Sequence, residues 1–384
     1  IVTIGLEQVR ADFRGDIYLG EGFISRLKVR AGYSDYTHTE FEGPEVGTVF
    51  DSETFEARAE FIQSSGGIIG AQFTTRDFSA IGEEAFVPPN ETIQFAIFTA
   101  QEFDLGGVQL EAAGRYETVD VDAQDLGFER DFDLFSGALS LVGGSDDVRI
   151  GATLSRSERA PAGEELFANG PHIATQQFEI GDVNLDVESA WGLEGFVRGT
   201  AGGVTFGASV YYQEFDDFIY LVPTGEEEDE LPVFVFLQDD ARFFGFEADA
   251  VIPLVEQDGF ALRTDLRASY VSGELTGNGG DLPRIPPLSL LGALESDIDN
   301  VSVRGEVQWF GEQNDVAVLE TSTDDFAWLN LYVSWRPLEG NDNVVLQLAG
   351  ENLGNVTGRR HSSFTKDFVP LPGRNVRASL RLSF

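Results

Sequence analysis

The last eleven residues, Arg374 to Phe384, alternate without interruption: Val376, Ala378, Leu380, Leu382 and Phe384 occupy one face, and Arg377, Ser379, Arg381 and Ser383 the other. Successive side chains on a strand point to opposite sides, so this segment turns one apolar and one polar face. A soluble sandwich would give the polar face to water, whereas a membrane barrel would give it to a lumen. The segment ends on an aromatic residue, as the closing strand of such a barrel does.

The same two-residue period recurs upstream. Residues 301–309 set Val301, Val303, Gly305, Val307 and Trp309 against Ser302, Arg304, Glu306 and Gln308, and residues 327–335 set Ala327, Leu329, Leu331, Val333 and Trp335 against Asn330, Tyr332 and Ser334. No run approaches the roughly 18 apolar residues of a membrane helix, so a spanning chain must cross on strands of about 9–11 residues. A lipid-facing Arg or Lys at mid-depth costs roughly 2–4 kcal/mol, and charges kept to the alternate face therefore mark a wet lumen. Trp309, Trp335, Phe310 and Tyr220 lie near strand ends, where amphipathic rings suit the interface.

Two kinds of connection separate these segments, and they alternate strictly. Short ones, rich in Gly, Asp and Asn, lie at 63–67, 104–107, 143–147, 200–203, 256–259, 297–300 and 339–342; in such turns positive φ is tolerated. Long polar ones lie near 38–48, 77–91, 119–130, 156–186, 222–233, 273–287, 311–325 and 354–373. This sorting is expected of a barrel with tight periplasmic turns and long extracellular loops. The fold expected is therefore all-β, a transmembrane antiparallel β-barrel with about 17 strands in this chain. Bacterial single-chain barrels have even strand numbers, so an odd count points to strands not included. Ile1 opens the chain without an initiator Met or a basic leader, and Thr3 to Tyr18 already reads as a strand inside a meander, so a fragment is expected.

With 66 acidic against 25 basic residues, the chain disfavours nucleic acid and anionic partners and favours cations. Cys is absent, which removes disulfides, thiolate metal sites and thiol nucleophiles. No serine elbow, phosphate loop or His-Glu-x-x-His helix is present, and acidic pairs such as Asp216-Asp217 point to opposite faces of a strand, so no enzyme is expected.

Ser155 to Trp191 is the longest connection. In it, Ser157 to Pro161 (Ser-Glu-Arg-Ala-Pro) is followed by Glu164 to Phe167 (Glu-Glu-Leu-Phe) and by Gly181, Asp182, Asn184 and Leu185. With Phe215 to Tyr220, Gly350 to Asn355, Pro370 to Asn375 and the final Phe384, these stretches resemble the outer-membrane TonB-dependent receptors. Ala168 to His172 with Ala174-Thr175, and Asp77 to Pro89, look like the zinc-uptake branch of that family. The resemblance implies a 22-strand barrel, an amino-terminal plug, energy delivered by the TonB complex, and a place in the outer membrane among its lipids. No plug and no TonB-contacting box is visible, so residues 1–384 are expected to be a partial barrel domain lacking the plug and the first strands.

Zinc takes imidazole nitrogen and carboxylate oxygen in groups of three or four. The three histidines, His38, His172 and His361, all fall in or beside long connections. His172 has Glu164, Glu165, Glu179 and Asp182 nearby in sequence, and His38 has Asp35, Glu40 and Glu42. The metal-binding residues expected are His172 and His38, with Glu164, Glu165 and Asp182 as carboxylate donors. His361 ranks lower, because Arg359 and Arg360 oppose a cation beside it. The plain alternative is three solvated loop histidines. Glu226 to Glu230 would gather cations or be a solvated tip.

The function expected is a receptor that captures zinc or a small metal complex on its loops and passes it inward once a plug moves. Zinc enters as transported ligand and no cofactor is expected. An iron-siderophore or other organic nutrient is the first alternative, left open by Phe41, Phe86, Phe167 and Phe178 in the loops. A passive pore or a structural or adhesion barrel is the second.

Overall fold

The computed structural model describes residues 2–82, 85–173, 175–277, 279–338 and 343–383. Along the chain run β1 (Val2–Tyr18), β2 (Ile24–Glu42), β3 (Glu45–Gln63), β4 (Ile68–Gly82), β5 (Asn90–Asp104), β6 (Val108–Ala123), a 3-10 turn (Gln124–Leu126), β7 (Phe128–Gly144) and β8 (Val148–Arg159). There follow α1 (Gly163–Phe167), β9 (Asn169–His172), β10 (Gln177–Ile180), β11 (Glu188–Ala201), β12 (Val204–Glu228), β13 (Leu231–Gln257) and β14 (Phe260–Leu275). The remainder comprises β15 (Gly280–Asp281), β16 (Ser289–Ile298), β17 (Val301–Phe310), β18 (Phe326–Trp335), β19 (Val344–Glu351) and β20 (Asn375–Leu382). The chain is all-β, as expected. Setting aside the short β9, β10 and β15, seventeen longer strands remain among the described residues, against about 17 expected from periodicity.

Contacts divide the chain into two units. One comprises Ile1–Leu141, Thr153–Gly192 and Glu214–Ala241, and the other Val142–Ala152, Leu193–Gln213 and Arg242–Phe384. In the first, β1 to β6 form an antiparallel meander, paired from Val2↔Glu42 through Asp104↔Gln109, with register shifts in β2 near Ile24 and Thr39. In the second, β14 and β16 to β20 form another, and the strands β16 to β20 have only eight to ten residues.

Face segregation follows the alternation. On β18, Leu329, Leu331 and Trp335 are 49%, 41% and 43% exposed, whereas Asn330 between them is 5% exposed and donates to Glu306 at 3.0 Å. The polar faces carry a repeated device, an Arg paired with an acid two residues along the same strand. Examples are Arg58–Glu60 at 2.7 Å, Arg115–Glu117 at 2.7 Å, Arg156–Glu158 at 2.6 Å and Arg304–Glu306 at 2.9 Å. Residues i and i+2 share a face, so each strand neutralises its own cation there. One close approach requires glycine. A Cβ on Gly70 would meet the Phe98 ring at 2.3 Å, and that ring carries the Arg58 guanidinium 4.1 Å above it.

Several expected loops are strand. Between β2 and β3 only Gly43-Pro44 remain outside, and β12 and β13 meet at Asp229-Glu230, two residues in the left-handed region at φ 50° and 64°. Glu226 to Glu228 of the acidic run thus belong to β12. Strands β1 to β6 have 15–19 residues, well beyond the roughly 9–11 that cross a bilayer. Once a strand leaves an apolar medium both faces can be polar, so the period fades while the hydrogen-bond ladder continues. Residues 311–325 and 354–373 lie outside the named strands, as expected. The turn expected at 339–342 and the terminal Phe384 lie outside the described residues.

Arg304 joins Asp265 at 3.0 Å, Glu295 at 3.3 Å and Glu306 at 2.9 Å. Arg304→Ala leaves Glu306 without its cation, removes one of two from Asp265 and from Glu295, and is expected to cost about 2 kcal/mol. Arg10→Ala, which breaks a pair with side chains 62% and 46% exposed, is expected to cost much less. Urea unfolding of the protein reconstituted in lipid vesicles measures both, and equal losses would refute a structural role for the Arg304 network.

Candidate functional site

The segment from Ala160 to Val187 folds back onto the first unit as a structured insertion. Its helix α1 is one turn long and has no stability alone. Ala162 precedes it and offers no capping oxygen, so Glu165 reaches back and accepts the Ala162 N–H at 2.8 Å. Leu166 and Phe167 are 1% and 3% exposed and lie on Val119, Val121, Phe132 and Leu134 of β6 and β7, with Leu185 and Ile219. Val119 and Val121 share the face of Arg115 and Glu117, so the polar face turns apolar where the insertion covers it. Burying a Leu or Phe side chain stabilises by roughly 1.5–3 kcal/mol, enough to fix a single turn.

Arginines fasten the insertion at its edges. Arg76 of β4 holds Glu164 at 2.9 Å, and Arg159 holds Glu165 at 2.7 Å and Glu188 at 3.1 Å. Arg130 donates to the carbonyls of Val183 and Leu185. The strands β9 and β10 form a small hairpin, Gln177↔His172 to Ile180↔Asn169, and β10 adds in parallel to β13 at Phe178↔Val233 through Ile180↔Val235.

His172 sits in this hairpin. Its Nδ1 is 2.8 Å from Glu179 Oε1, and the Thr175 hydroxyl donates to the same oxygen at 3.0 Å. Glu179 is 6% exposed. The Phe86 ring stacks on the imidazole with centroids 4.3 Å apart and planes 15° apart. A carboxylate can only accept, so it fixes the proton on Nδ1 and leaves the Nε2 lone pair free to bind a cation. Nε2 has no hydrogen-bond partner among the described residues, and the side chain is 30% exposed.

The other expected ligands go elsewhere. His38 lies within β2, opposite Phe50, and stacks on it at 4.4 Å and 14°. Phe50 packs on the cluster of Phe86, Val87 and Ala168, so His38 and His172 flank one aromatic cluster from two sides. Glu164 and Glu165 are engaged by arginines, and Asp182 accepts the Asn184 backbone N–H at 2.8 Å and its amide at 3.0 Å. Among the described residues no three His, Asp or Glu side chains converge as a metal site. Glu83, Glu84 and Ala174 lie outside the described residues. Of the four acids near His172 in sequence, Glu179 alone meets it. The short β9–β10 hairpin makes the pair diagonal neighbours, and only the seven-residue spacing across a turn hinted at this.

His361 belongs to a separate cluster in the second unit. Its ring is buried, with Nδ1 3.0 Å from Thr323 Oγ1 and 3.5 Å from Lys366 Nζ, and Nε2 3.3 Å from Glu320 Oε1. Lys366 donates to that Glu320 oxygen at 2.8 Å, as does the Arg284 backbone N–H at 3.0 Å, while the Ala317 N–H reaches Oε2 at 3.2 Å. One carboxylate thus ties together the segments around 284, 317–323 and 361–366. The cation opposing a metal at His361 is Lys366; Arg359 instead donates to the Lys366 and Asp367 carbonyls. Burial, followed by the Lys366 ammonium, holds the imidazole below its ordinary value of 6.5, with Glu320 pulling the other way.

Residues 4–353 match the family described as TonB dependent receptor-like, beta-barrel. Among solved structures, the copper transporter OprC superposes with a TM-score of 0.85 at 17% identity, over 100% of this chain and 66% of that one. The FrpB iron transporter from Neisseria meningitidis (F3-3 variant) gives 0.74 at 13%, over 97% and 62%. The ferric enterobactin receptor PfeA in complex with BCV-L6 gives 0.70 at 16%, over 99% and 62%. At these identities the likeness is one of fold, and the chain spans about two thirds of the length of each of these structures.

Since the folded state lowers the His361 pKa, the opened loops take up a proton at higher pH than the closed ones. The closed arrangement is therefore at full strength above 6.5 and weakens as pH falls below it. Protection factors at the Ala317 and Leu371 amides, with the intrinsic pH dependence of exchange divided out, are expected to fall between about pH 7.5 and about pH 5.5, and His361→Gln to flatten that change. A slope unaltered in the variant would assign the effect to another group.

Proposed function

The chain belongs to the family of TonB-dependent receptor β-barrels, and on that premise we propose that it forms the barrel portion of an outer-membrane receptor that takes up zinc or a small metal complex. Several features support the reading. The antiparallel strands segregate apolar from polar faces, the polar faces are neutralised by ion pairs, and a net charge of −41 draws cations toward the protein. Passage governed by a plug and powered by the TonB complex is part of the same proposal.

The observation that carries the cargo assignment is His172. It is a half-open imidazole with one nitrogen held by a buried carboxylate and the other free, on an insertion docked against the strands. This is how a metal-ligating histidine is prepared. His38 stacks on Phe50 and is separated from His172 by the same aromatic cluster, so water or the cargo's own donors supply the remaining positions beside His172. Glu164, Glu165 and Asp182 serve chiefly to shape the insertion that presents His172.

An organic metal chelate is the second reading. Three of the four rings that first favoured it, Phe86, Phe167 and Phe178, are buried and cannot grip a ligand. Phe364 and Phe368, 47% and 87% exposed beside the exposed Arg360, give that reading a different surface.

Zinc titration of the plug-complete receptor by calorimetry is expected to show affinity at least about tenfold weaker in His172→Ala, equivalent to about 1.4 kcal/mol. Unchanged affinity would remove His172 from the site and the cargo assignment with it. Expression induced by iron limitation and not by zinc limitation would favour the organic chelate.

A further inference from the structure

We propose that Glu179 is the positioning residue of the metal site, selecting Nε2 of His172 as the ligand atom and strengthening it as a donor. This rests on the reading of His172 as a metal contact and assigns a role to a carboxylate that does not itself touch the cargo.

The geometry specifies that role. Glu179 lies in β10, whose backbone is paired on both sides, with Gly170 of β9 and with Phe234 of β13. Its side chain is 6% exposed, and the oxygen facing His172 Nδ1 at 2.8 Å also receives the Thr175 hydroxyl at 3.0 Å. A buried carboxylate needs donors, and Thr175 and the imidazole N–H supply them. Thr175 also closes the turn, its backbone N–H donating to the His172 carbonyl at 3.1 Å. Behind the ring, Phe86 stacks parallel to it and limits its rotation.

Three consequences follow for a divalent cation of borderline softness, such as Zn²⁺. The proton is confined to Nδ1, so the Nε2 lone pair is available without a tautomer change. The negative charge behind the ring raises the electron density it donates. The ring plane is set before the metal arrives, so less ordering accompanies binding. Glu164 and Glu165 are unsuited to this part, because arginines already occupy them.

In the plug-complete receptor in detergent, ¹⁵N spectra of labelled histidine, assigned by loss of one signal in His172→Ala, report the tautomer of His172. Titration with Zn²⁺, and with Co²⁺ followed by its visible absorption, reports affinity and ligand field. Glu179→Gln keeps an acceptor oxygen that Thr175 holds toward the ring but removes the charge. It is expected to retain the Nδ1–H tautomer and lose about tenfold in affinity. Glu179→Ala is expected to lose the tautomer preference, to bind about 10–100-fold more weakly and to alter the Co²⁺ spectrum. Thr175→Val, which spares both ring and carboxylate, is expected to fall between wild type and Glu179→Gln.

Wild-type affinity and an unchanged tautomer in Glu179→Ala, while His172→Ala still loses metal, would overturn the positioning role and leave the receptor reading standing. Equal metal affinity in wild type and His172→Ala would overturn both. Should Glu179→Ala fail to fold, Glu179→Gln and Thr175→Val decide, and wild-type affinity in both overturns the proposal.

Discussion

Every part of this molecule depends on pairing the backbone. A chain that crosses hydrocarbon must satisfy each N–H and C=O internally, and a strand can do so only against its neighbours. The short strands β16 to β20 have about the number of residues that crossing requires. In β1 to β6, of 15–19 residues, the same ladders run on past that length. They become a scaffold on which an inserted segment is laid.

Charge is handled locally on that scaffold. Several arginines of this carboxylate-rich chain meet an acid two positions along their own strand, as Arg58 does in β3 and Arg304 in β17, while Arg242 and Arg263 pair with acids of other strands. Arg76, Arg130 and Arg159 instead hold the insertion 160–187 in place.

Much of this was legible from sequence, and the part that was not has a physical cause. Alternation at 301–309 and 327–335 reported β17 and β18 because one face meets an apolar medium and the other does not. The strand ends at His38 to Glu42 and Glu226 to Glu228 escaped notice, since with polar residues on both faces a ladder leaves no periodic trace. The site was half visible. His172 stood out as one of three histidines, but its partner was one of many acids, and proximity along the chain favoured Glu164, Glu165 and Asp182 over Glu179. What selects Glu179 is a hairpin of two four-residue strands that pairs with β13, more than fifty residues downstream. His361 was ranked lower for Arg359 and Arg360, and the cation beside its ring is the Lys366 ammonium.

The attachment of β10 to β13 has a mechanical side. The contact falls at Val233 to Val235, only a few residues from the bend at Asp229-Glu230, so the small hairpin grips the long ribbon close to its extremity. Glu179 is the middle rung of that grip, level with Phe234. The carboxylate beneath the imidazole is therefore tied by three backbone rungs to the ribbon near its acidic bend.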